Sequence, residues 1–505
     1  MYRILTASKD AYITNKILNN SFRATDANVG DAGTLDIFKL YDENKISGVE
    51  KSIEVSKALI KFPISEITAM DSAKDLDISS SRFKCFIKLH DVYGGQTTPR
   101  NFKLILAPLS QSFDEGIGRD VATFSDLDTV NFITASASNG SPVLWNLEGA
   151  SASGSLNDTN IDVIMSGTLD GSFVNLGREQ TFVSGKEDLY LDVTQVVSGT
   201  IAGLIPDHGF LLAFSGSYST NDKTYFVKRF ASRNSLITGK RPKMIILYDD
   251  HVSDNHQDFI FNVTSSLFLQ NYHRDDLANI LSGAAATQLT GADCLTLKIE
   301  SGSFKKLYNV SQAQIGRHAQ TGVYSSSFAL NSFDPLLYNE ANITGSITFN
   351  EVWTNSSETV TFLSSSFVVS RENRRIANTK NQNNVLVTVL NLNESYTLGE
   401  KVKIRVFAED RDRDIVFRKL PIEKKSEVFQ EMHFRVRDTF DGKIIIPFDT
   451  TNNSTKLSTD NDGMFFKFYA DSLPPGKTYS FDFLIRRNNV DTVIKDAASK
   501  FKINR

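Results

Sequence analysis

Runs in which apolar and polar residues alternate recur along most of this chain, and that period of two restricts it to strands with one covered face. RFKCFIKLH at 82–90, NFKLILAPL at 101–109, DLYLDVTQVV at 188–197, GFLLAFSGS at 209–217 and PKMIILYDD at 242–250 are the clearest. Each is bounded by Gly, Pro, Asn, Asp or Ser, the residues that turn a chain between strands. Helical spacing is scarce. The sequence predicts one short helix over 273–282 (HRDDLANILS) and a helical turn within 192–204 (DVTQVVSGTIAGL). Aromatic usage agrees with strands: 36 Phe and 15 Tyr stand against two Trp, and such rings pack well on pleated surfaces.

The 505 residues are enough for several cores, and we divide them into three all-β units. The first spans 1–250, with a Ser/Gly-rich insertion near 136–186 read as a polar excursion or a set of extra strands. The second, a β-sandwich, spans 255–375 and ends in the polar stretch SRENRRIANTKNQNN. The third, also a sandwich, spans 384–505.

A net charge of −4 gives no broad positive field for nucleic acid or an anionic membrane. The short basic clusters at 371–375 and 424–425 read as solvated turns. No window is long and apolar enough to insert in a membrane, and the opening MYRILTASKDAYITNK has no signal-peptide pattern. The expectation is a chain made in a host cytoplasm. Cys85 and Cys294 lie in apolar alternating runs, where unbridged structural thiols belong.

Motifs that cradle phosphate, bind zinc or calcium, or strain a nucleophile are not found, and no cofactor or metal is expected. The histidines at 90, 208, 251, 256, 273, 318 and 433 are scattered. His251 and His256, with Asp250, Asp254 and Asp258, form the one group that resembles a metal site, and their spacing in a hinge reads as a polar linker. Asp114 and Glu115 are the tempting acid and base pair. Neighbours on an extended chain point to opposite faces, so a turn role is expected for both. Trp145 in PVLWNLEG and Tyr218 in SGSYSTND are candidate glycan-stacking rings.

Read in order, KDAYITNK, NVGDAGTLDIF, SKALIKFPISEI, SFDEGIGRD, VLWNLEG, LYLDVTQVV, HGFLLAFSG and FVKRFASRNSLITGKRPKMIILY resemble the DNRLRE-type module, a jelly-roll sandwich often classed among carbohydrate-binding domains. Phe113, Lys57 and Asn234 depart from the Trp, Arg and Glu common in that family. Beside the resemblance, the residues themselves suggest that Arg233 and Arg241 pair with acidic turns and that Gly30 and Gly116 adopt positive φ. The third unit, with YTLGEKVKIRVFAED and the turn Leu473-Pro474-Pro475-Gly476-Lys477 before YSFDFLI, resembles immunoglobulin-like sandwiches of tailed-bacteriophage virion proteins. Together these resemblances imply a non-enzymatic structural component of a tail, neck or baseplate. It would be present in several copies and bound to other virion proteins. A glycan-binding or receptor-binding adhesin is the alternative, and a depolymerase is a third.

Overall fold

The computed structural model describes residues 1–44, 51–72, 76–123, 128–251, 259–273, 276–283, 286–371, 385–410, 426–460, 462–487, 490–497 and 500–505. His256, Asp254, Asp258, Lys424, Lys425, Arg374, Arg375 and the linker residues 372–384 lie outside them. Strand accounts for 49% of the chain and helix for 7%, so the protein is all-β. Among the described residues no helix is long and apolar enough to cross a membrane.

Two compact units emerge. One comprises Arg3–Met70 and Phe83–Leu247, the other Met1–Tyr2, Asp71–Arg82 and Tyr248–Arg505. In the first, a four-stranded sheet runs Tyr2–Thr6, Lys243–Leu247, Lys84–Leu89, Leu189–Asp192. A seven-stranded sheet forms the second layer, and Phe102–Pro108, Phe210–Phe214 and Ile53–Lys61 lie adjacent within it. The chain passes between the two layers several times, entering the smaller sheet at Tyr2–Thr6, Lys84–Leu89, Leu189–Asp192 and Lys243–Leu247 and the larger one in between, as in a jelly roll. All five alternating runs form strands here, and Thr194–Ile201 supplies the expected helical turn. The 136–186 excursion is a set of short strands, among them Thr134–Ser138, Val163–Leu169 and Ser172–Asn175.

The second unit contains two bodies. In residues 259–370 a single seven-stranded sheet encloses the core by folding over at the strand Phe304–Ile315. The first half of that strand pairs with Leu295–Ser301 and its second half with His318–Phe328. The edge strands, Phe259–Ile260 and Ser265–Gln270, are neighbours in sequence, so the edges of the sheet must approach each other. Phe259 accordingly packs on Phe328 at 5.0 Å and Phe367 at 5.1 Å. The helix expected over 273–282 does not form. Tyr272–His273, Asp276–Leu277 and Leu281–Ser282 are extended, because the segment's backbone is held laterally: the Ile280 amide donates to the Tyr324 hydroxyl at 2.9 Å and the Ala278 carbonyl accepts from the Asn271 side chain at 2.7 Å.

Residues 385–504 form the other body. One sheet runs Val385–Val389, Lys401–Asp410, Gly463–Tyr469, Ser458–Asp460. The other runs Ser395–Thr397, Phe501–Asn504, Thr478–Arg487, Met432–Asp438, Ile444–Ile446. Ser395–Thr397 lies parallel to the last strand. This is the immunoglobulin strand plan. The Tyr479 hydroxyl donates to the Pro474 carbonyl at 2.6 Å, the tyrosine corner of such sandwiches, and the Pro-Pro-Gly turn supplies its acceptor. Two residues on, where antibody domains place a disulfide, Phe481 packs on Phe466 at 5.0 Å and Phe501 at 4.8 Å. Aromatic stacking thus holds the layers together. Replacing Tyr479 by Phe should orphan the Pro474 carbonyl and cost about 1–3 kcal/mol, read as faster amide exchange along Thr478–Arg487.

Candidate functional site

At one end of the jelly roll, segments distant in sequence are tied around a small group of polar residues. The Glu115 carboxylate accepts from the Arg233 guanidinium through both oxygens, with Oε2 at 2.6 Å, and from the Asp10 amide at 2.8 Å. Asn28 sits fully buried behind it. Its Nδ2 donates to the carbonyls of Glu115 at 2.8 Å and Val130 at 2.7 Å, and its Oδ1 accepts from the Gly118 amide at 2.8 Å. Gly116 has a φ of +75°, as expected, whereas Gly30 does not enter the positive region. Gly30 is required for another reason: a Cβ there would lie 1.9 Å from the Glu115 carbonyl oxygen. Asn234 donates to the Gly30 carbonyl at 3.1 Å, and Arg241 donates to the Ser235 carbonyl at 3.1 Å rather than to an acidic turn.

Asp114 and Glu115 diverge as their extended geometry requires. Asp114 faces Lys9 at 3.4 Å while Glu115 faces Arg233, so the two carboxylates are turned to different partners. The two loops that Glu115 and Arg233 join carry three outward apolar side chains: Ile117 is 72% exposed, Leu236 97% and Ile237 59%.

Asp10 is buried beside this group. Its Oδ2 accepts from the Arg233 amide at 2.6 Å, and Oδ1 has no hydrogen-bond partner among the described residues. Burial pushes its carboxyl up from 3.8 to about 7, helped by the nearby Glu115 charge and opposed by Arg233. The folded chain therefore holds that proton over a range in which the unfolded chain has released it. The associated stability is full at low pH and is lost as pH rises from about 4 to about 7. Asp10→Asn should flatten that part of the stability profile and leave the protein at least as stable at pH 7, as checked by urea titrations between pH 4 and 8.

Two lysines occupy inward positions of alternating strands. Lys228, fully buried, donates to Asp91 Oδ1 at 2.5 Å and to the carbonyls of Gly185 at 2.9 Å and Glu187 at 2.8 Å, with the Phe230 ring 4.7 Å away. Lys39 donates to Asn221 Oδ1 at 2.6 Å and the Tyr218 carbonyl at 3.3 Å. Both ammonium groups are pulled down by burial. Lys228→Met alone should cost about 3–5 kcal/mol by stranding Asp91, and adding Asp91→Leu should restore most of it; denaturant midpoints of the single and double variants check this.

Of the two candidate glycan rings, the structure encloses Trp145. Trp145 is buried in the core, its Nε1 donating to the Asn131 carbonyl at 3.0 Å. It does not present its ring to solvent. Tyr218 is half-buried and packs edge-on against Tyr225 at 5.9 Å. The loop after Trp145 is organised by Asp162, a residue the sequence did not single out. Its carboxylate accepts from the amides of Asn146 at 2.7 Å and of Leu147 and Ala152 at 3.1 Å. Lys57, in the place of the family's Arg, donates to the Gly149 carbonyl at 2.6 Å and Ser151 Oγ at 2.8 Å, and burial pushes it down to about 8. Phe113 is a core residue beside Trp145. Both cysteines are free, Cys85 buried and Cys294 half-buried.

In the second unit, the outward face of the immunoglobulin-like sheet carries Lys401, Lys403 and Arg405, paired in register with Tyr469, Lys467 and Phe465. Alternation leaves Ile404, Val406 and Phe466 in the core. Lys403 Nζ lies 4.0 Å and the Arg405 guanidinium 5.3 Å from the centre of the Phe465 ring. A cleft of about 940 Å³ runs between this face and Gln270, Asn271, Tyr272 and Asn279. Beside it is a cavity of about 220 Å³ lined by Asp250, His251, Lys401, Lys403, Lys456 and Lys467. His251, a member of the metal-like group in the sequence, is pushed down to about 4 by burial and by Lys456.

The fold and these sites define an all-β protein of linked sandwiches. No family model and no curated protein matches the chain. Among solved structures, Titin-A168169 aligns at 8% identity over 50% of this chain and 95% of its own, with a TM-score of 0.14. The N-terminal four Ig domains of Dscam1 isoform 9.44, with zinc, align at 9% identity over 50% of this chain and 44% of that one, with a TM-score of 0.13. Similarity this low carries no argument; the immunoglobulin plan of residues 385–504 rests on its own strand order and tyrosine corner.

Proposed function

We propose that this protein is a non-enzymatic structural component of a tailed-bacteriophage virion, in the tail, neck or baseplate region, acting in several copies through contacts with other virion proteins. The observation that carries the reading is the pair of loops held by Glu115 and Arg233. A bidentate ion pair and a buried Asn28 fix their backbones, and each then displays apolar side chains to solvent at Ile117, Leu236 and Ile237. Burying such a side chain against a partner is worth about 1.5–3 kcal/mol, and a loop that is already rigid loses little entropy on docking. Several buried carboxylates are committed to the fold: Glu115 to Arg233, Asp91 to Lys228, and Asp482 to Arg435.

The test is incorporation. In particles purified from infected cells, mass spectrometry should detect the wild-type chain at a fixed multiple of other virion proteins. Leu236→Asp with Ile237→Asp should leave the melting temperature within about 2 °C, as surface changes usually do, and sharply reduce incorporation. A chain that is missing from particles, or a variant that enters them normally, would refute the assignment.

A further inference from the structure

Among the described residues that line the 220 Å³ cavity of the second unit are four lysines and one carboxylate, Asp250, which already pairs with the N-terminal ammonium of Met1. The neighbouring acids are already engaged. Asp460 takes Lys403 at 3.4 Å as well as Arg405, Asp462 takes Arg405 at 3.2 Å, and Glu431 lies 3.9 Å from Lys456. Positive charge is crowded here. Lys403 is pulled below its ordinary value by burial first and then by Arg405, with Lys467 adding to the effect.

The lysines arise from strand geometry. Lys401 and Lys403 are two apart on one strand and Lys467 is the cross-strand partner of Lys403, so all three project from the same face of the sheet. Lys403, Phe268, Gln270 and Tyr272 line both this cavity and the larger cleft, so the two spaces adjoin. The larger space has a different chemistry. Tyr272 is 56% exposed, and the side-chain amides of Gln270, Asn271, Asn279 and Gln288 line it. These amides are bonded in part within the chain, Asn271 to the Ala278 carbonyl, Asn279 to Gln288 and Gln270 to the Tyr272 hydroxyl. Their remaining donor and acceptor positions, a ring to stack against and the adjoining ammonium groups match a polyhydroxylated body that bears an acidic group.

We propose that this cleft binds an acidic saccharide, its carboxylate or phosphate seated among Lys401, Lys403, Lys456 and Lys467 and its sugar ring lying against Tyr272. The inference stands whether or not the chain enters a virion.

Calorimetric titration of the full chain with four probes tests this: glucuronic acid, glucose 6-phosphate, glucose and inorganic phosphate. One or both acidic sugars should bind saturably and at least about tenfold more tightly than glucose or phosphate, and weaken as salt rises. Preference between glucuronic acid and glucose 6-phosphate tells carboxylate from phosphate. Lys467→Gln and Tyr272→Ala should each weaken the bound sugar about fivefold or more, with unfolding midpoints measured alongside to show that both variants fold. Lys103→Gln, in the first unit, should change nothing. The proposal fails if neither acidic sugar saturates, if inorganic phosphate binds as tightly as glucose 6-phosphate, or if folded Lys467→Gln binds like wild type.

Discussion

Every sheet in this protein has one face that must be sealed from water, and the seal is made largely of phenylalanine. Rings stack side by side within the larger sheet of the jelly roll, Phe102 on Phe182, and meet across the core in the other bodies, Phe259 with Phe328 in the folded sheet and Phe434 with Phe466 in the immunoglobulin-like sandwich. Such a seal tolerates charge only where the charge is fully partnered, because an ammonium or carboxylate stripped of water and left unpaired is costly. Lys228 meets that condition with three acceptors and a ring. Asp10 does not, since one of its oxygens is orphaned, and it responds by keeping its proton toward neutral pH.

Period-two alternation made the strands legible, and with them the all-β class; the jelly-roll and immunoglobulin-like plans of the two ends were suggested by resemblance to known modules and not by alternation. Turn residues made Gly116 and the Pro-Pro-Gly corner legible. Less visible was anything set by contacts between distant segments. Gly30 is needed because another loop's carbonyl lies against it, a constraint that its own neighbours do not reveal. The segment 273–282 has apolar residues at helical spacing, but lateral hydrogen bonds to Tyr324 and Asn271 draw it into extended form. Trp145, between polar residues, resembles an exposed ring until the buried carboxylate of Asp162 is seen to fold the loop behind it.

Some missed residues did carry a signal. Lys39 and Lys228 each sit at an inward position of an alternating run, TLDIFKLY and YFVKRFA. A charge that breaks the parity of a strand marks a buried, fully satisfied cation. The same parity places Lys401, Lys403 and Arg405 outward, so the basic face of the last sandwich was also readable, though not what stands across from it.

The folded sheet of residues 259–370 has its first strand, Phe259–Ile260, beside Val369 and Ser370 near its end. That neighbour is not available until more than a hundred residues have been made and the intervening hairpins are in place. Until then Phe259–Ile260 has no strand to pair with, and the closing strand Thr361–Ser370 is the last element of the sheet to be made. The order of synthesis thus leaves this body's seam to be joined last, and the two-residue strand that joins it covers only the end of the border of Thr361–Ser370.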